Sequence, residues 1–267
     1  MGVLEGKHAI VVGGSSGIGL GCARLRARDG AAVTIAARTE EKLLAAAQLL
    51  SDEHLDVSWV TCDALDAETV AAAVEHASDN GKLHIAVVVP GGSRWSPVLN
   101  YGDDQFSQEV DMNVRPVYLL LKYAGRAMLR AGEGSFVAIS STAAVFSCRY
   151  IVSYSAGKAA VDQLVRVVAN ELGEHHIRVN SVRPGWTRTA ATAPAFSNTA
   201  MMEQFLDNQP IRRHGEVDDI AHAVRYMAGP ESGWTTGQLL TVDGGNTLGP
   251  FIDYNTLFDA PARGSNG

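Results

Sequence analysis

Seven short apolar runs, separated nearly throughout by longer amphipathic stretches, constrain this chain more than any other feature. Brief apolar runs without polar alternation suit strands covered on both faces, and the longer stretches carry helical periodicity. Repeating the two predicts βαβ units and a parallel sheet. The predicted strands cover 8–13, 32–37, 57–62, 85–89, 135–140, 177–182 and 238–242. The predicted helices cover 17–29, a stretch ending near 50, then 67–78, 105–129, 154–172 and 217–227. The expected fold is α/β: one doubly wound domain of about seven parallel strands flanked by helices, over 1–248.

Two segments fit that rhythm less well. Residues 187–210 are rich in Ala, Thr and Asn with weak helical character, which suits a mobile substrate lid. Residues 249–267 follow the last strand as a tail. Phe251, Ile252, Tyr254, Leu257 and Phe258 make it more apolar than a free tail, so it is expected to pack on a neighbouring subunit or over a pocket.

Composition narrows the class. The length of 267 residues suits a single large α/β domain, and no Pro/Gly/Ser-rich linker divides it. A net charge of −7 argues against a broad nucleic-acid surface or one for anionic membranes. Cys22, Cys62 and Cys148 are odd in number and lack metal-ligand spacing, so no metal site is expected and a reducing, cytoplasmic compartment is. No run approaches the length of a signal peptide or a membrane span.

Between the first strand and first helix lies Gly13-Gly-Ser15-Ser16-Gly17-Ile18-Gly19. Glycine permits the tight strand-to-helix turn and lets a pyrophosphate approach the backbone, while the helix N-terminus presents unpaired N–H groups. In that position the turn predicts a Rossmann-type dinucleotide site. An NAD-selective site usually places a carboxylate at the end of the second strand. Here Ala37 occupies that position and Arg38 and Thr39 follow, so a guanidinium is available to grip a 2′-phosphate. NADP(H) is therefore expected over NAD(H).

Tyr154 and Lys158 stand at i and i+4 and share one helix face. An ammonium beside a phenol favours the phenolate, lowering a pKa ordinarily near 10, so that the tyrosine can exchange a proton with a carbonyl or alcohol oxygen. Ser141, at a strand end thirteen positions earlier, is available to orient that oxygen.

Taken together these residues resemble the short-chain dehydrogenase/reductase family, including its NADP-dependent 3-oxoacyl-acyl-carrier-protein reductases. The glycine turn is similar to the family's TGxxxGIG, with Val12 for the threonine. Ser141, Tyr154 and Lys158 match its catalytic spacing, and Asn113 matches the helix asparagine that helps hold a water linked to the lysine. Ile177-Arg-Val-Asn-Ser-Val-Arg-Pro184-Gly185 and Asp243-Gly-Gly245 resemble two later signatures. The resemblance implies that Asp63 lies near the adenine and that Gly91 lets backbone approach the cofactor. It also implies that Pro184 and Gly185 shape the turn beside the nicotinamide, with Thr187 and Thr189 contacting its carboxamide or the phosphates. One departure stands out: the family's NNAG is here Val88-Val89-Pro90-Gly91, read as a repacked core.

The resemblance further implies hydride transfer between NADP(H) and a carbonyl or secondary alcohol, an acyl thioester among the candidates. The alternatives are an NADP-binding redox sensor without turnover and a non-redox lyase or dehalogenase. Pocket segments containing Trp95, Phe146, Trp186 and Phe196 suggest an apolar or ring-bearing substrate. A homotetramer or homodimer built on the two long helices is expected.

Overall fold

In a computed structural model that describes residues 2–249, without the side chains of Ala200 and Met201, all seven strands pair in one parallel sheet. They are β1 (His8–Val12), β2 (Ala32–Ala37), β3 (Val57–Thr61), β4 (Ile85–Val88), β5 (Gly134–Ile139), β6 (Ile177–Pro184) and β7 (Leu239–Val242). Their order is β3-β2-β1-β4-β5-β6-β7. The crossovers are α1 (Gly17–Arg28), α2 (Glu40–Asp52), α3 (Ala67–Ala77), α4 (Asp103–Ala131), α5 (Val152–Leu172) and, after the short α6 (Ala193–Phe196) and α7 (Thr199–Asp207), α8 (Val217–Ala228). The expected elements form within a few residues of their predicted ends. The tail beyond Gly249 lies outside the described residues.

Strand side chains alternate between two cores, as the pleat requires. Ile10, Val12, Ala86, Val88, Phe136 and Val179 join the layer under α3, α4 and α5. Ala9, Val11, Ile35, Val87, Val137 and Val182 join the layer under α1, α2 and α8. Covering both faces explains why the strands read as continuous apolar runs.

The chain starts at β1 and winds outward through β2 and β3, then returns to place β4 on the other side of β1. The carboxyl ends of β1 and β4 therefore open a crevice where the winding changes direction, the usual ligand position in an open α/β sheet. Val88 is buried and Val89 packs against the α1–α2–α8 layer, with its N–H on the Val12 carbonyl at 3.0 Å. The replaced asparagine motif is thus a continuation of the hydrophobic core.

Candidate active site

The glycine turn joins the end of β1 to α1 at this crevice. Gly13 and Gly17 take positive φ, and a Cβ on Gly19 would stand 2.0 Å from the Gly13 carbonyl oxygen. The close packing of turn on helix therefore requires glycine at position 19. Ser16 caps α1 without a side-chain hydrogen bond, and no acid lies in the first turn. Ser15 is half-buried, Ser16 exposed and Ile18 half-buried. The helix thus presents its first N–H groups with nothing negative against them, as a pyrophosphate requires. Arg38 and Thr39 are exposed at the adjacent end of β2, and Arg38 makes no hydrogen bond or ion pair among the described residues. Asp63 bonds the Leu65 N–H at 3.0 Å and shapes its own turn, whereas Asp66 caps α3. The glycine turn and the unopposed start of α1 fit the pyrophosphate of a nicotinamide dinucleotide.

On the other side of the crevice the structure brings Ser141, Tyr154, Lys158, Asn113 and Gly91 together. Ser141 follows β5, bonds the Tyr154 hydroxyl, and accepts the Ala143 N–H at 3.1 Å. Lys158 is buried, its Nζ donating to the Ile139 carbonyl at 2.8 Å and standing 5.6 Å from the centre of the Tyr154 ring. Asn113 is fully buried on α4, and its amide holds both the N–H and the C=O of Gly92, at 3.1 and 2.9 Å. Gly91, at φ +154, passes so close that a Cβ would lie 2.6 Å from Asn113 Oδ1 and 2.9 Å from Lys158 Nζ.

The electrostatics correct one expectation. Burial pushes the Tyr154 phenol above its ordinary pKa, and the Ser141 hydrogen bond offsets this only in part. Burial also lowers Lys158 to about 8, against the upward pull of Asp162. The phenol's own burial is the largest influence on it, so the lowered phenol predicted from i, i+4 spacing is not found.

The 187–210 segment folds against the same opening. Gly185 N–H bonds the Val242 carbonyl at 2.9 Å, holding the turn after Pro184. Thr187 is buried and bonds the Gly185 carbonyl, and Thr189 places its methyl beside Gly17 in the glycine turn. Trp186 meets Trp95, Phe196 and Phe205 with ring centres 6.0 to 6.4 Å apart. His214 meets Phe196 edge-on at 4.6 Å and stacks on Phe205. Three of the four predicted aromatics therefore gather, while Phe146 stands apart and exposed.

Phe205 and His214 carried no motif that would have marked them. Nor did Glu109, a buried carboxylate on α4 that accepts Ser153 Oγ at 2.5 Å, Gln105 Nε2 at 3.1 Å and Tyr101 OH at 3.4 Å. Burial would raise its pKa, but these bonds and the Arg94 N–H together hold it below the usual carboxylate range. A cavity of about 560 Å³ opens at the opposite end of the sheet beside Lys7, His84, Glu133 and Trp234. Lys7 and Glu133 there already pair with each other, and Arg178 is bound by carbonyls. No group of His, Cys, Asp and Glu fit to hold a metal occurs among the described residues, and none of their helices is long and apolar enough to cross a membrane.

The chain matches known proteins over nearly its whole length. A family model described as enoyl-(acyl carrier protein) reductase matches residues 12–247. A 3-oxoacyl-acyl-carrier-protein reductase of Chlamydia muridarum is 34% identical over 245 residues, covering 91% of this chain and 98% of the relative. The structure of a short-chain type dehydrogenase/reductase from Mycobacterium ulcerans superposes with a TM-score of 0.89 at 34% identity, covering 95% of this chain and 94% of that one. A Beutenbergia cavernae chain solved with NADP bound at low occupancy superposes at 0.86 with 28% identity, covering 92% of this chain and 98% of that one.

Proposed function

The chain belongs to the short-chain dehydrogenase/reductase family, and on that premise we propose that it is an NADP-dependent oxidoreductase interconverting a ketone and a secondary alcohol. The observation that carries the reading is the meeting of Ser141, Tyr154 and Lys158 at the open end of the sheet, across the crevice from the glycine turn.

Reduced nicotinamide, when bound, supplies a hydride to the carbonyl carbon. Tyr154 gives the carbonyl oxygen its proton, and the two transfers together make the alcohol. A phenol kept protonated by burial suits that direction. Ser141, already on the tyrosine hydroxyl, orients the substrate oxygen. Lys158 stabilises the phenolate left behind, and Asn113 grips Gly92 and so fixes the stretch of backbone in which Gly91 passes close to the lysine head. Gly13, Ser15, Ser16, Gly17, Ile18 and Gly19 cradle the phosphates, with Arg38 and Thr39 on the 2′-phosphate and Asp63 by the adenine. Pro184, Gly185, Thr187 and Thr189 border the nicotinamide half. NADP over NAD is supported by the guanidinium of Arg38, which has no hydrogen-bond or ion-pair partner among the described residues, and by Ala37 rather than an acid at the last position of β2, with Glu40 and Glu41 following only in the first turn of α2.

Residues 187–210 act as the substrate lid, since Phe196 and Phe205 from this segment pack on Trp186, which itself meets Trp95. That aromatic wall supports an apolar, ring-bearing ketone, with a 3-oxoacyl thioester as the competing substrate. Exposed Phe106, Tyr118 and Leu129 on α4 and Val167 on α5 support assembly through those helices, as a homotetramer or homodimer.

Fluorescence titration with NADPH and NADH, followed by loss of NADPH absorbance over a panel of aryl ketones, cyclic ketones and a 3-oxoacyl thioester, tests the reading. Tight NADPH binding with turnover of at least one ketone is expected. Binding of neither coenzyme would overturn it.

A further inference from the structure

Glu109 is not explained by hydride transfer. It lies on the face of α4 that meets α5, 6% exposed, with no basic side chain against it among the described residues. An aliphatic side chain would fill such a place between packed helices without the cost of desolvating a charge. The acid is instead satisfied by donors from three separate segments: the Arg94 N–H, the Tyr101 hydroxyl with Gln105 Nε2, and Ser153 Oγ. A carboxylate is acceptor-only with about four lone-pair sites, so this set saturates it.

Two of those segments are the walls of the site. Arg94 precedes Trp95, which is exposed and faces Trp186. Ser153 precedes Tyr154 in the first turn of α5, a helix whose N-cap Ile151 makes no side-chain cap bond. One turn along α4, Asn113 grips Gly92 and also donates to the Glu109 carbonyl at 2.7 Å. The strip from Gly92 to Tyr101 is therefore pinned to α4 at several points, and at Ser96 to the Tyr150 carbonyl. Ser153 and Tyr101 also bond each other, at 3.1 Å.

Building on the carbonyl-reductase reading, we propose that Glu109 is a positioning residue whose carboxylate ties the Trp95 strip to the Tyr154 turn, so that a ketone seated against Trp95 is held in register with the phenol. It touches neither substrate nor cofactor and acts through Ser153 and the Arg94 backbone.

The test uses the full chain and hydrogen exchange, which reads local opening without needing turnover. Glu109→Leu should speed exchange at least tenfold in both 92–101 and 151–155, leaving the 13–19 turn and NADPH affinity within twofold. Glu109→Gln, which can still accept from Ser153 and Tyr101, should restore protection to within threefold of the parent. Should the leucine variant fail to fold, Ser153→Ala, which removes one bond and leaves the acid its other donors, answers by the same readout. With acetophenone as probe, Trp95→Ala and Ser153→Ala should couple: the double variant loses at least fivefold less kcat/KM than the product of the single losses, whereas distant sites would multiply. Protection unchanged, loosening of one segment alone, glutamine no better than leucine, or multiplicative losses would each overturn the proposal. A parent that turns over no ketone would sink the reductase reading instead, and the exchange data would still decide the clamp.

Discussion

Lys158 Nζ donates to the carbonyl of Ile139, the last residue of β5, at 2.8 Å. That bond ties the lysine to the strand end that also delivers Ser141, so one segment of backbone sets the position of both groups. The same burial that makes the bond possible weakens the lysine's hold on its proton.

The pH dependence follows from that site. Lys158 titrates near 8, and its charged form is lost as pH rises through that value. If the charge supports the tyrosine, kcat/KM for NADPH in ketone reduction is level below pH 7 and falls above about 8. Asp162 is the neighbour that raises the lysine's pKa, so Asp162→Asn should move the fall to lower pH. A steady-state pH profile of both proteins checks this; coincident profiles would refute it.

Stability carries the opposite sign. The folded pKa of Lys158 lies below the unfolded value of 10.5, so burying the ammonium costs stability fully below pH 8, and the cost fades between 8 and 10.5. Lys158→Met should therefore stabilise the cofactor-free protein at pH 7, on the order of 2 kcal/mol, and lose most of the advantage by pH 10. Urea melts at the two pH values measure it.

Tyr154→Phe removes the proton donor and leaves the ring in place. A loss of about 10²–10⁴-fold in kcat is expected, the usual contribution of a positioned acid or base. NADPH affinity by fluorescence should stay within threefold. Equal activity of the two proteins would remove Tyr154 from the mechanism.

Gly91→Ala tests the close approach at the centre of the site. Its φ of +154 disfavours any side chain, and a methyl group would collide with Asn113 Oδ1 and Lys158 Nζ. Since Gly91 lies in an exposed loop, the fold should survive with a loss of at least tenfold in kcat/KM. Circular dichroism and kinetics on one preparation separate the two effects.

Arg38→Ala should weaken NADPH binding tenfold or more and leave NADH within twofold, because a guanidinium–phosphate pair is lost from one coenzyme alone. Parallel titrations at one ionic strength check it, and equal losses for both coenzymes would place Arg38 elsewhere.

The sequence by itself determined whatever depends on neighbours along the chain. Continuous apolar runs specified buried parallel strands, since the pleat exposes every second residue to a helix layer on each side. Glycine at 13, 17 and 19 announced the turn because its backbone conformation and close packing are local properties. Tyr154 and Lys158 could be paired because i and i+4 share a helix face. What only the tertiary structure decided depends on contacts between distant segments. Spacing suggested that the ammonium would lower the tyrosine's pKa, but desolvation acts on both groups and reverses the direction for the phenol. Nothing along the chain marks Glu109 until α5 brings Ser153, 44 positions away, to 2.5 Å. Trp186 gains its partners only when the turn after β6 meets Trp95 and α7. Charge burial and ring packing are properties of the closed molecule, because the solvent they exclude is excluded only once every segment is in place.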